Sequence, residues 1–495
     1  MILCICSQDT VDGKESAPTA LFTAAQHNNV DMVKCLMKEE DTNTSNSEGV
    51  TPLMAALRGG HIQIVQMLLL RQIEELVLTE KDNEDRNVFH YAFSSRKPEE
   101  VTEALVNFFV TTPPRNVEKL LTDKDLNEET PLHVLAHQRL EKEKFENVLK
   151  VLEDFDINVL RCMTEKNASK ENPLHQTAKC ENTSFLDAVL NKETGKKDDI
   201  YRLLTAKDEN SNSVLHLATQ HKRTETARLI IEYLSNNFME TVKHLGMKNF
   251  FGWTPFSGAV ASGDFELVKT MLRELGKDDI KTVVNQPDFS NAAPLYLAAK
   301  YGHIEVFELL MVNMADITRK GYDDKTTLDV AIDREQRGII GAIISGPRWK
   351  EAFQMASTTE TGALDTPLRK LIRQIPHSAE EVLDKCCEIE ILSREEAGEK
   401  KVSLEVVNMN VDIIEDTYKY IKVKNHDGIT FYHKDLDGVP ENGEEHEVDI
   451  SNHPMMIMVD ERKLELLQHP LCLSIIQRKW NLNGRRSYYF QLAYY

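Results

Sequence analysis

Four histidines are the first residues in this sequence that could do chemistry. His90, His133, His175 and His216 recur 41 to 43 residues apart, and a column of imidazoles would suggest a line of metal ligands. One histidine per unit cannot gather a tetrahedral ligand set. The spacing instead predicts side chains that hydrogen-bond from one unit of a repeat to the next. The adjacent thiols Cys386 and Cys387 are a candidate reactive pair, with Lys385 beside them to lower a thiol pKa. Val382, Cys386 and Ile389 share one helical stripe, however, which favours a buried structural cysteine. Between 435 and 449 stand seven carboxylates (Asp435, Asp437, Glu441, Glu444, Glu445, Glu447, Asp449) and no Lys or Arg. A calcium site would use such ligands, but the spacing is not that of an EF-hand loop, and a solvated acidic loop fits better. Arg478, Lys479, Arg485 and Arg486 stand against one acid, Glu465, directly before an aromatic and apolar run at 488–495. Positive charge bordering Tyr-rich apolar sequence is what the cytoplasmic flank of a transmembrane helix looks like. An ordinary amphipathic terminus is the other reading. Phosphate-loop, dinucleotide, zinc-protease and nucleophile-elbow motifs do not occur, so no enzyme, metal or cofactor is expected.

The elements that must hold these residues come from a repeat. In 49–70, GVTPLMAALRGGHIQIVQMLLL, Thr51 is a good N-cap, and Pro52 falls in the first turn, where a missing N–H is tolerated. The Gly59-Gly60 pair can take the positive φ of a C-cap, and a second helix then carries Ile62, Val65, Leu68 and Leu69 on one face. The slot of Pro52 recurs as Ala20, Val88, Pro131, Pro173, Val214, Pro255, Pro294 and Thr327, at intervals of 32 to 43 residues, which makes nine units. Second helices are expected near 32–37, 148–152, 226–234, 265–272 and 304–310. The middle units exceed the ideal length of about 33 residues and read as carrying longer loops. The ninth unit reads as a cap whose second helix, 337–345, has two Gly and an apolar patch that needs a cover. The T-P-L core, the small Ala55-Ala56 pair and the G-H-x-x-I-V-x-x-L-L ending resemble the ankyrin repeat. The fold is therefore read as mainly α, an ankyrin-repeat solenoid over 1–345. Stacking buries the apolar face that each unit cannot bury alone and presents a long concave surface to protein partners.

Composition agrees. At 495 residues, 41% apolar and 28% charged, the chain is too long for a single core. A net charge of −21 argues against a nucleic-acid partner, which draws on clustered Lys and Arg. The eight cysteines are scattered, so a reducing cytosolic setting is expected. The apolar start at 1–6 is too short for a signal peptide, and no run of 18 apolar residues occurs, so the chain as given is not expected to cross a membrane.

From Gly346 the texture changes. A linker at 346–463 opens with GPRWKEAFQM and continues with TPLRKLIRQIPHSAEEVLDKCCEIEIL. Thr366 with Pro367 starts one helix, and Ser378 with Glu381 reads as the capping box of a second, a non-ankyrin helix pair. Beyond Glu399, Val402, Leu404 and Val406 alternate with polar residues, with a slip at Val407-Asn408 that reads as a bulge before Met409, Val411 and Ile413. Residues 418–423 and 429–432 read as a hairpin, giving a small antiparallel β element. The last segment, 464–495, carries Leu464, Leu467, Leu471 and Ile475 on a helical face interrupted at His469-Pro470.

Four stretches in this order resemble the linker of the ankyrin-subfamily (TRPA-type) transient receptor potential cation channels, which include the insect relatives named painless and pyrexia. They are RWKEAF around Trp349; TPLRKLIRQIP, from Thr366 and Pro367 to Pro376, followed by AEEVLDKC ending in Cys386; TYKYI at 417–421; and LELLQHP, ending in His469 and Pro470, followed by KW at Lys479-Trp480. The resemblance implies a cytoplasmic ankyrin stack and a gating linker ahead of six membrane helices, in a tetrameric, non-selective, calcium-permeable channel of sensory function. It further implies channel subunits as partners in a homotetramer, anionic inner-leaflet lipid near 478–486, and a position on the cytoplasmic side of the plasma membrane. The pore is expected outside this sequence, which would be a fragment or a truncated product, and cytosolic if complete. Of the family's electrophile-sensing thiols, two are replaced, at Thr366 and near Val423, and Cys386 with Cys387 remains. The alternative is a soluble ankyrin adaptor that binds another protein.

Overall fold

The computed structural model describes residues 19–38, 45–71, 80–111, 117–180, 182–191, 196–238, 241–321, 324–358, 364–396, 399–409, 413–414, 420–425, 428–433, 444–447 and 453–481. The chain divides into two compact units, 1–250 and 251–495. In the first, the leading helices are Ala20–Gln26, Pro52–Gly59, Val88–Phe93, Pro131–His137, Pro173–Cys180 and Val214–Gln220. Their second helices are Val30–Leu36, Ile62–Arg71, Pro98–Thr111, Lys142–Asp154, Thr183–Leu190 and Thr224–Asn237. In the second unit, Pro255–Ser262, Pro294–Tyr301 and Thr327–Asp333 lead, followed by Phe265–Arg273, Ile304–Val312 and Arg337–Ser345. All nine expected units are helix pairs, and the fold is an ankyrin-repeat solenoid.

The long intervals are not loops. The units that exceed the ideal most carry a short third helix, at Val117–Thr122, Val159–Cys162, Lys197–Thr205, Thr241–Leu245 and Lys277–Val284. Leu120, Leu121, Leu203, Leu204 and Val284 are buried, so the extra residues coil because they have an apolar face to hide.

Local chemistry fixes where each pair begins. Thr51 Oγ1 accepts the Met54 N–H at 3.3 Å with Pro52 as the first helical residue. The C-cap is Gly60 alone, at φ 69°, while Gly59 stays in the helix. A further signal lies five residues ahead of the cap in seven of the nine units: Asn46, Asp82, Asp125, Asn167, Asp208, Asn249 and Asp288. Asp125 Oδ1 accepts the N–H groups of Asn127 and Glu129 at 2.9 and 2.8 Å, and Asp208 Oδ1 those of Asn210 and Asn212 at 2.9 and 2.7 Å. These Asx turns hold a left-handed residue, as at Glu128 (φ 57°) and Ser211 (φ 60°). Gly252, at φ 79° in the equivalent place, admits no side chain, because an added Cβ would lie 2.3 Å from the Phe289 backbone nitrogen.

The four histidines are structural. In each, Nδ1 accepts the backbone N–H of its own N-cap residue, at 3.1 Å for His90, 3.2 Å for His133, 3.2 Å for His175 and 3.1 Å for His216. Nε2 then donates to a carbonyl of the next unit: Glu129 at 3.1 Å, Glu171 at 2.9 Å, Asn212 at 3.3 Å and Met247 at 2.9 Å.

In the second unit the stack does not end with the ninth pair. Helix Pro367–Gln374 packs on Thr327–Asp333, and Pro376–Lys385 on Arg337–Ser345, covering the apolar patch of Ile339, Ile340, Ile343 and Ile344. A further layer follows, Pro454–Asp460 on Pro367–Gln374 and Leu464–Leu467 on Pro376–Lys385. The second linker helix starts at Pro376, two residues before the expected Ser378 cap, because Ile375 ahead of a proline is kept out of the helical region (φ −134°, ψ 71°). That helix stops at Lys385; the following CEIEIL is not helical but part of strand Cys387–Glu396, antiparallel to Glu399–Met409. The pairing steps from Glu388–Asn408 to Ile389–Val406, leaving Val407 as the expected bulge. Tyr420–Asn425 pairs with Gly428–His433 as foreseen. It also pairs with Glu444–Glu447, so part of the acidic stretch is a strand rather than a loop, in a register that sets Lys422 opposite Glu447 and Lys424 opposite Glu444. Asp435, Asp437, Glu441 and Asp449 lie outside the described residues, as does Val411.

Burial holds His90, His133 and His175 below the ordinary imidazole pKa, His175 at about 4. The unfolded chain thus takes up protons near pH 6.5 that the folded chain refuses, so stability is full above about pH 6.5 and falls as the pH drops towards about 4. Urea unfolding followed by circular dichroism should show this loss. His175→Gln should be less stable at neutral pH yet flatten the slope by up to about 1.4 kcal/mol per pH unit; an unchanged slope would refute the neutral buried imidazole.

Candidate functional site

The most constrained polar cluster in the second unit lies where the ninth repeat meets the linker. In repeats three to six, the third helical position holds His. In the ninth it holds Asp329, with no exposure to solvent. Its Oδ2 takes the cap role, accepting the Thr326 N–H at 2.8 Å and the Thr326 hydroxyl at 2.9 Å. Oδ1 accepts from Lys370 Nζ at 2.6 Å, across to the linker helix Pro367–Gln374. Lys370 Nζ also donates to Ser357 Oγ at 2.7 Å. The bond between layers is kept while its direction reverses: His donates forward, whereas Asp accepts from the next layer.

A short ladder fixes the surroundings. Ser357–Thr358 pairs with Leu364–Asp365, placing Ser357 opposite Asp365. From the same linker helix Arg373 Nη1 donates to both oxygens of Asp365, at 3.0 and 2.9 Å. Burial pushes the Asp365 carboxyl above the usual range, and Arg373 opposes that rise. Thr366 is the N-cap, extended at φ −100° and ψ 156°, with Pro367 the first helical residue, so both keep the places that the sequence gives them. Arg369, in the slot of the histidines, is buried.

Two further ties run through the linker. Trp349 opens helix Trp349–Gln354 and is buried, with the Lys385 ammonium 5.7 Å from its ring centroid. Lys385 Nζ also donates to the Ile344 carbonyl at the end of the ninth repeat. His469 caps helix Pro470–Lys479, its Nδ1 accepting the Leu471 N–H at 3.2 Å, which leaves Nε2 to donate to Asp384 Oδ1 at 3.0 Å. Pro376 and Pro470 each occupy the first turn of their helices.

Lys385 therefore does not activate the thiols. Burial pushes Cys386 up to about 12 and raises Cys387 as well. Cys386 is the C-cap of its helix and is buried, while Cys387 is partly exposed. Ile389, expected on the same helical stripe, belongs to a strand. In the last segment Leu464 is exposed, whereas Leu466, Leu471 and Ile475 are buried. The break at Pro470 restarts the helix and turns the face, so Leu471 and Ile475 point inward as expected, while Leu466 is buried ahead of the break, Leu467 is half-buried and Leu464 is exposed. The opposite face of Pro470–Lys479 shows Leu473, Ile476 and Trp480 to solvent at 52%, 46% and 49%, with Arg478 and Lys479 exposed beside them. Arg485 and Arg486 lie outside the described residues. Asp329, Lys370, Ser357 and the Asp365–Arg373 pair are the residues that sequence reasoning missed. The available signal was an Asp in the slot that holds His in repeats three to six. Among the described residues no group of three or more His, Cys, Asp or Glu is placed to hold a metal ion.

A profile of the family described as "Ankyrin repeats (3 copies)" matches residues 2–76 and 234–321. The chain is 25% identical over 403 residues to the transient receptor potential cation channel subfamily A member 1 homolog of Caenorhabditis elegans, covering 76% of this chain and 29% of that protein. It is 24% identical over 352 residues to the human transient receptor potential cation channel subfamily A member 1, covering 70% of this chain and 28% of that protein. The rat nuclear factor NF-kappa-B p105 subunit is 33% identical over 115 residues, 23% of this chain and 11% of that one. The chain thus spans less than a third of the length of the curated channel relatives it matches. Repeats and linker together resemble the N-terminal region of a TRPA-type ankyrin-repeat channel.

Two outcomes are expected from this geometry. All three tryptophans, Trp253, Trp349 and Trp480, belong to the second unit, so its unfolding can be followed by fluorescence. Lys370→Met leaves the Asp329 carboxylate buried without its cation and should cost about 3–5 kcal/mol. Adding Asp329→Asn should recover a large part; equal losses in the single and double variants would show no coupling. In maleimide labelling of the folded chain read by peptide mass spectrometry, exposed Cys35 should react first among the cysteines of the described residues. Cys386, buried and with its thiolate disfavoured by that burial, should react only on unfolding.

Proposed function

We propose that this chain, similar over most of its length to the TRPA-type channels, is the cytoplasmic ankyrin and linker region of a cation channel of that type. Residues 1–345 are its stack, 346–463 its gating linker and 464–495 the segment leading towards the first membrane helix. The pore is supplied by further chain or by partner subunits, in a homotetramer that passes cations non-selectively, calcium included, in response to a sensory stimulus. The role is binding and force transmission rather than catalysis. Protein partners take the concave face of the repeats.

The observation that carries this reading is the buried chain of contacts Asp329–Lys370–Ser357. It ties the leading helix of the ninth repeat to the TPLRKLIRQIP helix, whose sequence is among those that resemble the channel linker. Strain reaching the ninth repeat has to pass into the linker or break a buried ion pair. Trp349, Thr366, Pro367 and Pro376 set the linker helices against that repeat, and His469, Pro470 and Trp480 mark the following helix. The exposed Leu473, Ile476 and Trp480 beside Arg478 and Lys479 suit the anionic surface of an inner leaflet, where apolar burial and charge attraction add. Among the described residues no helix is long and apolar enough to cross a membrane.

Fractionation of native tissue followed by affinity capture tests the proposal. The chain should be recovered with membranes, together with subunits that supply apolar spans of about 20 residues. Recovery as a wholly soluble protein with no channel subunit would transfer the assignment to a soluble ankyrin adaptor.

A further inference from the structure

In the first unit, a cavity of ≈ 720 Å³ plays no part in the linker. It lies between the ends of helices Ala20–Gln26 and Pro52–Gly59, the turn at 46–50, and Ser94 and Arg96 just after helix Val88–Phe93. Two guanidinium groups line it, Arg58 and Arg96, and neither has an ion pair or hydrogen-bond partner among the described residues. In a chain of net charge −21, two unpaired arginines facing one cavity are a concentration of positive charge that the fold does not use. The acid next to the site is already spoken for: Asp82 accepts from Arg86 Nε at 2.7 Å and from the Tyr91 hydroxyl at 2.6 Å. Glu48 supplies a carboxylate to the wall. His61 Nε2 donates to the Gln26 carbonyl at 3.1 Å, so its Nδ1 is left as an acceptor. Buried Phe22, Val50 and Ala55 give the cavity an apolar floor.

We infer that this cavity binds a small organic phosphate that also carries hydroxyl or amino donors, of the size and polarity of a nucleotide or sugar phosphate. A guanidinium presents a planar fork that matches phosphate oxygens in pairs, and such charge-assisted bonds are about twice as strong as neutral ones. Arg58 and Arg96 take the phosphate. Glu48 and His61 Nδ1 accept from hydroxyl or amino groups and disfavour a second anion at their end of the cavity. The apolar floor receives a ring. The volume falls in the range of about 300–1,000 Å³ usual for small-molecule sites, so a compact ligand fits better than an extended chain. The inference does not depend on the channel reading.

Isothermal titration of the full chain with ATP and fructose 6-phosphate as probes tests it, with adenosine and sodium sulfate as controls. At least one phosphorylated probe should bind and adenosine should not. Arg58→Gln and Arg96→Gln should each weaken binding about tenfold or more, while Arg139→Gln, on an exposed arginine outside the cavity, should leave it unchanged. Both cavity arginines are exposed, so the variants should keep the helical circular dichroism of the parent. Failure of both probes to bind at about 1 mM, or undiminished binding by the double variant, would overturn the inference. Sulfate competing as strongly as the organic phosphates would also overturn it, since the site would then select only an anion.

Discussion

A leading helix of six to eight residues, largely buried, leaves backbone N–H groups at its start that its own turns cannot satisfy, and this condition organises the stack. Those donors have no water to turn to, so each unit must satisfy them from its own cap and its neighbour. Histidine does both with one ring. Its Nδ1 takes the cap N–H and its Nε2 reaches the next unit's carbonyl, as His133 does with Thr130 and Glu171. The geometry of an imidazole then sets the spacing between layers, and apolar burial follows in register.

The ninth repeat keeps the condition and changes the solution. Ser257 already serves as cap partner in the seventh repeat without reaching onward, and in the ninth the carboxylate of Asp329 caps and accepts a cation from the next layer. A carbonyl acceptor is available on any repeat, but a buried ammonium is not. Asp329 therefore accepts one mate, Lys370, and would be left as a bare buried charge against any ordinary repeat. A buried ion pair is weak evidence of added stability and better evidence of specified pairing. Here it specifies that a linker layer, not another repeat, comes next.

What the sequence disclosed follows the reach of the chemistry involved. Caps, glycines and T-P-L starts act within about one helical turn, so all nine pairs could be read, along with the hairpin and the bulge at Val407. The third helices were hidden because four to nine residues give too little periodicity to read. The strand Glu444–Glu447 was hidden because its partner, not its own composition, makes it a strand. Asp329 and Lys370 are separated by 41 residues, and only the stacking of layers brings them together. Lys385 misled for the same reason: beside Cys386 in sequence, it spends its charge on Ile344 and Trp349.

The linker's ties are unequal, and the inequality bears on how it would carry strain. Asp329 and Lys370 are almost wholly shielded, at 0% and 10% side-chain exposure, and each has further buried partners. The next tie, His469 to Asp384, pairs a buried ring with a carboxylate that is 65% exposed. Water can replace the imidazole at Asp384 at little cost, as it can for most surface pairs, whereas nothing replaces Lys370 at Asp329. A displacement arriving through the repeats would therefore cross the first junction intact and be relieved at the second. In the proposed channel, that makes helix Pro376–Lys385 move with the stack and helix Pro470–Lys479 the element free to respond.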